Sequence, residues 1–192
     1  MVGLFCSLTS FFMDEYIVAR VAGQAPDFTA NAYANGKFET VSLYEDYLDK
    51  GKWVVLFFYP LDFTFVCPTE IREFSAKAKD FEAEGAQIIG VSVDSEHSHK
   101  AWVEGDLGKI DFPLVSDLDK EISISYDVLH DDGMSLRGTF IIDPEGTIHH
   151  ATINNLPLGR NVDETLRTLV AAKSGELCPV GWKKGEKTLG KA

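Results

Sequence analysis

The sequence predicts an α/β fold with a mixed central sheet flanked by helices, and three observations predict it. Residues 52–59 (KWVVLFFY) and 87–93 (QIIGVSV) are nearly continuous apolar runs, which read as strands covered on both faces. Residues 139–143, the turn Pro144-Glu145-Gly146 and residues 147–153 read as an antiparallel hairpin. Between and after these strands, apolar residues recur at helical spacing.

The elements follow in order. Gly51 and Pro60 bound the first strand. Residues 70–84 form a helix in this reading, with Ile71, Phe74, Ala78 and Phe81 on one face. A right-handed crossover then leads into the second strand. Residues 95–104 read as a shorter helix capped by Ser95, and residues 120–126 as another. After the hairpin, residues 161–173 carry Val162, Thr165, Leu166, Leu169 and Val170 on one stripe, with Gly175 as the stop. The chain therefore divides into an extension over residues 1–13, one α/β domain over 14–175, and an arm over 176–192 with little periodicity.

Composition narrows the function. An apolar share of 45% and a charged share of 25% are ordinary for a globular protein. A net charge of -12 argues against nucleic acid or an anionic membrane as partner, since either needs a basic surface. Lys183, Lys184 and Lys187, beside Glu186, are too small a cluster to reverse that. No apolar run approaches the ~20 residues that span a bilayer. The first dozen residues are apolar but lack the positive start of a signal peptide.

Three cysteines, Cys6, Cys67 and Cys178, make neither an even set nor a C-x-x-C pair. A reducing cytoplasmic setting is the expectation, and there a cysteine with unusual neighbours is more often reactive than structural. A buried, inert thiol is the alternative for each. His97, His99, His130, His149 and His150 show no convergent ligand pattern, so packed or solvent-facing rings are expected and no metal. The absence of G-x-G-x-x-G and P-loop patterns leaves no expectation of a nucleotide or other cofactor.

The chemistry concentrates in residues 60–70 (PLDFTFVCPTE), where the first apolar strand ends and the long helix begins. The crevice beyond the carboxyl end of such a strand is the usual ligand site of an open α/β sheet. Unpaired N–H groups and the positive end of the helix there favour a thiolate over a thiol. Pro68 suits the first helical turn, which puts Cys67 at or beside its cap.

P-x-x-x-T-x-x-C, filled by Pro60, Thr64 and Cys67, is the active-site pattern of the peroxiredoxins. The longer stretch FYPLDFTFVCPTE resembles the typical two-cysteine branch, which includes the bacterial alkyl hydroperoxide reductases. Residues 91–95 (VSVDS), 137–143 (RGTFIID), 154–160 (NNLPLGR) and 175–182 (GELCPVGW) match the same branch in order, so the resemblance covers about residues 14–187. It implies a thioredoxin-like fold and a thiol-dependent peroxidase.

The resemblance also implies roles. Cys67 attacks the peroxide, and Arg137 holds thiolate and peroxide oxygen with its several donors. The alternative for Arg137 is a surface arginine lying along the sheet. Thr64 hydrogen-bonds the peroxide and Pro60 shields the sulfur; a helix cap and a strand terminator are their plainer readings. Glu70 and Arg160 form an ion pair that orients Arg137, although an exposed pair would contribute little. Cys178 resembles the resolving cysteine, which condenses with the sulfenic acid of Cys67 across a subunit boundary. Cys6 has no counterpart and no assigned role.

As partners the resemblance implies hydrogen peroxide and organic hydroperoxides, thioredoxin or a dedicated flavoprotein disulfide reductase, and a homodimer that assembles into a decamer ring. A peroxide sensor or holdase chaperone using the same thiol is the alternative function; a dithiol exchanger would need the missing C-x-x-C. One departure stands out. Where easily over-oxidised members carry a Gly-Gly-Leu-Gly loop and an aromatic-tailed helix, this chain reads Gly105-Asp106-Leu107-Gly108 and has no aromatic residue after Trp182. Resistance to over-oxidation is the expectation.

Overall fold

The computed structural model describes residues 18–191; the extension over 1–13, with Cys6, lies outside them. Among the described residues seven strands form one mixed sheet in the order β2-β1-β5-β4-β3-β6-β7. β3 (Trp53–Phe58) and β4 (Ala86–Ser92) pair in parallel, and β5 (Leu114–Ser116) continues parallel beyond β4. β6 (Arg137–Ile142) runs antiparallel to β3, and β7 (Ile148–Asn154) closes that edge antiparallel to β6.

Both apolar runs are central strands covered on two faces, as their sequences require. Val54, Leu56 and Phe58 face one core with Val41, Leu43, Ile122 and Phe140. Val55, Phe57 and Tyr59 face the other, with Ile71, Phe74, Phe81, Trp102 and Leu169. Gly90 in β4 lets these layers close. A Cβ there would lie 2.9 Å from Phe57 and 2.9 Å from Leu114, so only glycine lets both side chains meet over the strand.

Three strands were not expected. β1 (Thr29–Ala34) and β2 (Lys37–Ser42) form a hairpin around Asn35 and Gly36, both with positive φ, 51° and 78°, and the one-turn helix α1 (Leu43–Asp46) follows. Asn-Gly is the strongest short-range hairpin signal a sequence carries, and it lies here in plain view. β5 has only three residues, too few to show a period.

The helix expected over residues 70–84 is corrected to two. α2 (Cys67–Ala76) begins earlier, and α3 (Ala78–Ala83) follows a break at Lys77, whose φ of -99° and ψ of 5° leave the α basin. Apolar spacing did not show the break because Ile71, Phe74 and Phe81 still reach one core across it. α4 (Glu96–Trp102) is capped by Ser95, which accepts from the Ser98 N–H, and it runs into a π turn over Val103–Leu107. α5 (Glu121–Ser125) is short, and α6 (Val162–Ser174) stops at Gly175 with φ of 62°.

Residues 176–191 form no helix or regular strand, yet they are not loose. Trp182 is buried, and its carbonyl accepts from Arg167 at 2.9 Å. The Leu177 N–H donates to the Gly190 carbonyl and the Leu189 N–H to the Leu177 carbonyl, which folds the arm back on itself.

Candidate active site

Cys67 is the first helical residue of α2, with Val66 as cap and Pro68 next. Proline has no N–H to leave unpaired, and Thr69 turns its own N–H and hydroxyl back onto the Val66 carbonyl, at 3.0 and 2.6 Å. The turn thus closes without a side-chain cap. The Cys67 side chain is fully buried against the sheet.

Sheet topology brings Arg137 to the same place. Because β6 is antiparallel to β3 with Phe57 opposite Thr139, its first residue arrives where β3 ends and the chain turns into α2. Arg137 Nη1 donates to Cys67 Sγ at 3.4 Å and to Glu70 Oε2 at 2.5 Å, while its Nε donates to the Leu156 carbonyl at 2.7 Å. Three acceptors, two on α2 and one at Leu156, fix the guanidinium in one plane.

Glu70 sits one turn beyond Cys67 and accepts four bonds. Arg160 supplies its backbone N–H at 2.9 Å, Nε at 2.8 Å and Nη2 at 3.0 Å; Arg137 supplies the fourth. Arg160 Nη1 also donates to the carbonyls of Phe58 and Gly138, and its guanidinium lies over the rings of Phe57 and Phe74 at 5.0 and 5.9 Å. The exposed ion pair weighed from sequence is therefore a buried one, with side-chain exposures of only 3% for Glu70 and 3% for Arg160. Burial pushes the Glu70 carboxyl upward, but hydrogen bonds and charge from Arg160, with Arg137 adding to them, hold it below its ordinary value of 4.5.

Pro60 is buried beside the end of β3. Thr64 is half-buried, and its hydroxyl donates to the Leu61 carbonyl at 2.9 Å, so its lone pairs stay free to accept. Cys178 lies elsewhere. It is a free, half-buried thiol against the last turns of α6, with Sγ 3.4 Å from Ser174 Oγ and 3.8 Å from the Ala171 carbonyl. Hydrogen bonds join Cys67, Glu70, Arg137 and Arg160, while Pro60 and Thr64 lie on the segment that leads from β3 into α2, and Cys178 contacts Ser174 and Ala171 of α6.

A second network was missed. Asp62 is buried and accepts from Tyr59 OH at 2.9 Å and Ser98 Oγ at 2.7 Å, and its Oδ2 lies 2.8 Å from His99 Nδ1. Its own N–H donates to Asp94, whose carboxyl is pushed up by burial and then by the Asp62 charge. His99 is thus a packed histidine, and the network pins residues 60–64 to β4 and α4. A carboxylate inside the P-x-x-x-T-x-x-C motif was the available signal.

Residues 21–151 match the AhpC/TSA family, and residues 170–192 match the C-terminal domain of 1-Cys peroxiredoxin. The 2-cysteine peroxiredoxin of the Chattonella marina var. antiqua chloroplast is 57% identical over 180 residues, 88% of this chain and 91% of its own length. The chain belongs to the peroxiredoxins. Barley 2-Cys peroxiredoxin BAS1, also chloroplastic, is 55% identical over 91% of this chain and 87% of its own. Among solved structures, reduced Plasmodium vivax 2-Cys peroxiredoxin superposes with a TM-score of 0.83 at 40% identity, covering 88% of this chain and 91% of that one. Mycobacterium tuberculosis AhpC gives 0.78 at 40% identity, covering 86% and 99%. This peroxiredoxin is therefore an oxidoreductase with peroxidase function on a thioredoxin-like fold. Among its described residues no helix is long and apolar enough to cross a membrane.

Proposed function

We propose that Cys67 is the peroxidatic thiolate, that Arg137 and Thr64 hold the peroxide, and that Cys178 of a second subunit resolves the oxidised sulfur. The charge balance around Sγ carries this reading. Glu70 offsets one of the two buried guanidinium groups, Arg137 and Arg160, and a thiolate at Cys67 offsets the other.

The thiolate attacks one oxygen of the peroxide; an S–O bond forms and the O–O bond breaks. The leaving hydroxide or alkoxide takes a proton, and Cys67 becomes a sulfenic acid. Negative charge moves from sulfur to the departing oxygen, and a guanidinium already pointed at the sulfur meets that charge without reorganising. Thr64, its proton committed to Leu61, accepts from the peroxide O–H. Pro60 keeps water from the sulfur. Glu70 and Arg160 hold Arg137 in place.

The sulfenic acid then condenses with a thiol, forming a disulfide and releasing water. α6 begins beside Arg160, next to the site, and Cys178 packs against Ala171 near its far end. From Val162 to Ala171 the helix rises about 13 Å at 1.5 Å per residue. This placement favours a Cys178 from a partner copy over the chain's own. An external dithiol, thioredoxin or a flavoprotein disulfide reductase, then reduces the disulfide. Hydrogen peroxide and organic hydroperoxides are the substrates, in a homodimer that assembles to a decamer, with the reducing cytoplasm as setting.

The test is catalytic peroxide loss with thioredoxin and its reductase. Sustained turnover is expected; consumption that stops at about one equivalent per subunit would refute the enzyme cycle and leave a sensor.

A further inference from the structure

We propose that Asp94 is a positioning residue for peroxide reduction. It fixes the peptide unit between Leu61 and Asp62, and that peptide aims the Thr64 hydroxyl. The inference deepens the reading of Thr64 given above and rests on it.

The Leu61 carbonyl and the Asp62 N–H belong to one planar peptide unit and point in opposite directions. The N–H donates to Asp94 Oδ2 at 2.9 Å. At the other end the carbonyl accepts the Thr64 hydroxyl, also at 2.9 Å. Turning this plane therefore turns the Thr64 proton with it. Thr64 has one proton to give and two lone pairs. While Leu61 holds the proton, only the lone pairs are left to meet the O–H of a peroxide at Cys67. A displaced Leu61 carbonyl would free the proton to donate into the site, where the peroxide O–H needs an acceptor.

The turn needs an anchor because its backbone is strained. Phe63, between Asp62 and Thr64, has φ of 54°, a left-handed conformation that a bulky residue seldom adopts. Such strain persists only where surrounding bonds over-determine it. The Phe63 ring, 59% exposed, leans on Trp102, so packing supplies only part of the restraint.

Asp94 is itself held in place. It follows β4, and Ser92 at the end of that strand locks its side chain. Ser92 Oγ donates to Asp94 Oδ2 at 2.8 Å and accepts the Asp94 N–H at 3.2 Å. The Asp62 carboxylate is gripped separately, by Tyr59 OH, Ser98 Oγ and His99 Nδ1. Asp62 is thus fixed through its N–H from the end of β4 and through its side chain from Tyr59 and α4. Residues 91–95 (VSVDS), which touch neither Cys67 nor Arg137 by any hydrogen bond described above, gain a task in the reaction.

The test uses full-length protein and stopped-flow measurement of Cys67 oxidation by hydrogen peroxide. The variants are Thr64→Val, Asp94→Ala, Asp94→Asn and the double variant of Thr64→Val with Asp94→Ala. Thr64→Val is expected to slow oxidation about a hundredfold, and Asp94→Ala about tenfold. Asp94→Asn keeps an acceptor oxygen without the charge and should recover most of that loss. In the Thr64→Val background Asp94→Ala should add nothing, because it acts through a hydroxyl that is no longer there. The Cys67 thiolate titration, followed by ultraviolet absorbance, should be the same in Asp94→Ala as in wild type. Additive losses in the double variant, a shifted thiolate titration, or an Asp94→Asn as slow as Asp94→Ala each overturn the proposal. A Thr64→Val that reacts at the wild-type rate instead defeats the reading of Thr64, and the proposal with it. Should Asp94→Ala not fold, Ser92→Ala, which unlocks the Asp94 side chain, takes its place. Slower oxidation that vanishes beside Thr64→Val then supports the proposal, and an additive loss sinks it.

Discussion

Arg137 Nη1 lies 2.5 Å from Glu70 Oε2 and 3.4 Å from Cys67 Sγ, so one nitrogen bridges a buried carboxylate and the sulfur. Glu70 takes up part of the guanidinium's charge and fixes its direction, and the rest points at the Cys67 sulfur. Substitution separates those contributions.

Replacing the sulfur is the most direct. Cys67→Ser should have no measurable peroxidase activity, because a hydroxyl is not ionised near neutrality and does not attack O–O. The fold should survive so small a change. A variant that kept a tenth of the wild-type rate would contradict the assignment.

Arg137→Lys keeps a positive charge but loses the planar fork that reaches Leu156, Glu70 and Cys67 at once. Removing a preorganised donor at a developing charge typically costs ~10²–10³ in rate. Stopped-flow measurement of Cys67 oxidation should show a loss of that order; an unchanged constant would place Arg137 outside the reaction.

Cys178→Ser should consume about one equivalent of peroxide and then stall until a small thiol is supplied. Wild-type protein oxidised by peroxide should run as a dimer on a non-reducing denaturing gel. Migration only as monomer would point to a bond within one chain and against the separation of Cys67 and Cys178 that α6 implies.

Glu70→Gln leaves two buried guanidinium groups without their carboxylate and should destabilise the fold by ~3–5 kcal/mol, the usual cost of breaking a buried pair. The pH dependence has a definite sign. Glu70 in the folded protein lies below its ordinary 4.5, so its stabilisation is complete above that value and is lost as pH falls through the lower, folded value. Urea unfolding of both proteins from pH 7 to pH 3 should show the gap narrowing only below about pH 4.5. A gap independent of pH would mean that the Gln variant fails through packing and not through charge.

How much of this was written in the sequence depends on how far apart the participants lie. Pro60, Thr64 and Cys67 fall within one turn-and-helix start, so their pattern alone marks Cys67 as the proposed nucleophile. β3, β4 and the β6–β7 hairpin declare themselves because a covered strand must be apolar on both faces and a hairpin must turn. The β1–β2 hairpin was equally declared, by Asn35-Gly36, and its signal passed unread. The break at Lys77 left no trace, since the apolar spacing runs across it.

Resemblance could attach names to Arg137, Glu70 and Arg160, but composition and spacing could not bring them together. They meet because an antiparallel β6 delivers its first residue to the end of β3, and because the segment after β7 lays Arg160 between sheet and helix. Desolvation then decides what the pairing is worth. An exposed Glu–Arg pair would be nearly neutral, whereas this one is enclosed, bonded at every oxygen and coupled to a sulfur. The sequence by itself determined which cysteine stands at the start of α2 and that β3, β4, β6 and β7 are strands, because those are local matters of chemistry and period. Only the tertiary structure decided which charges surround the sulfur, because convergence across some ninety residues and exclusion of water exist only once the chain has closed.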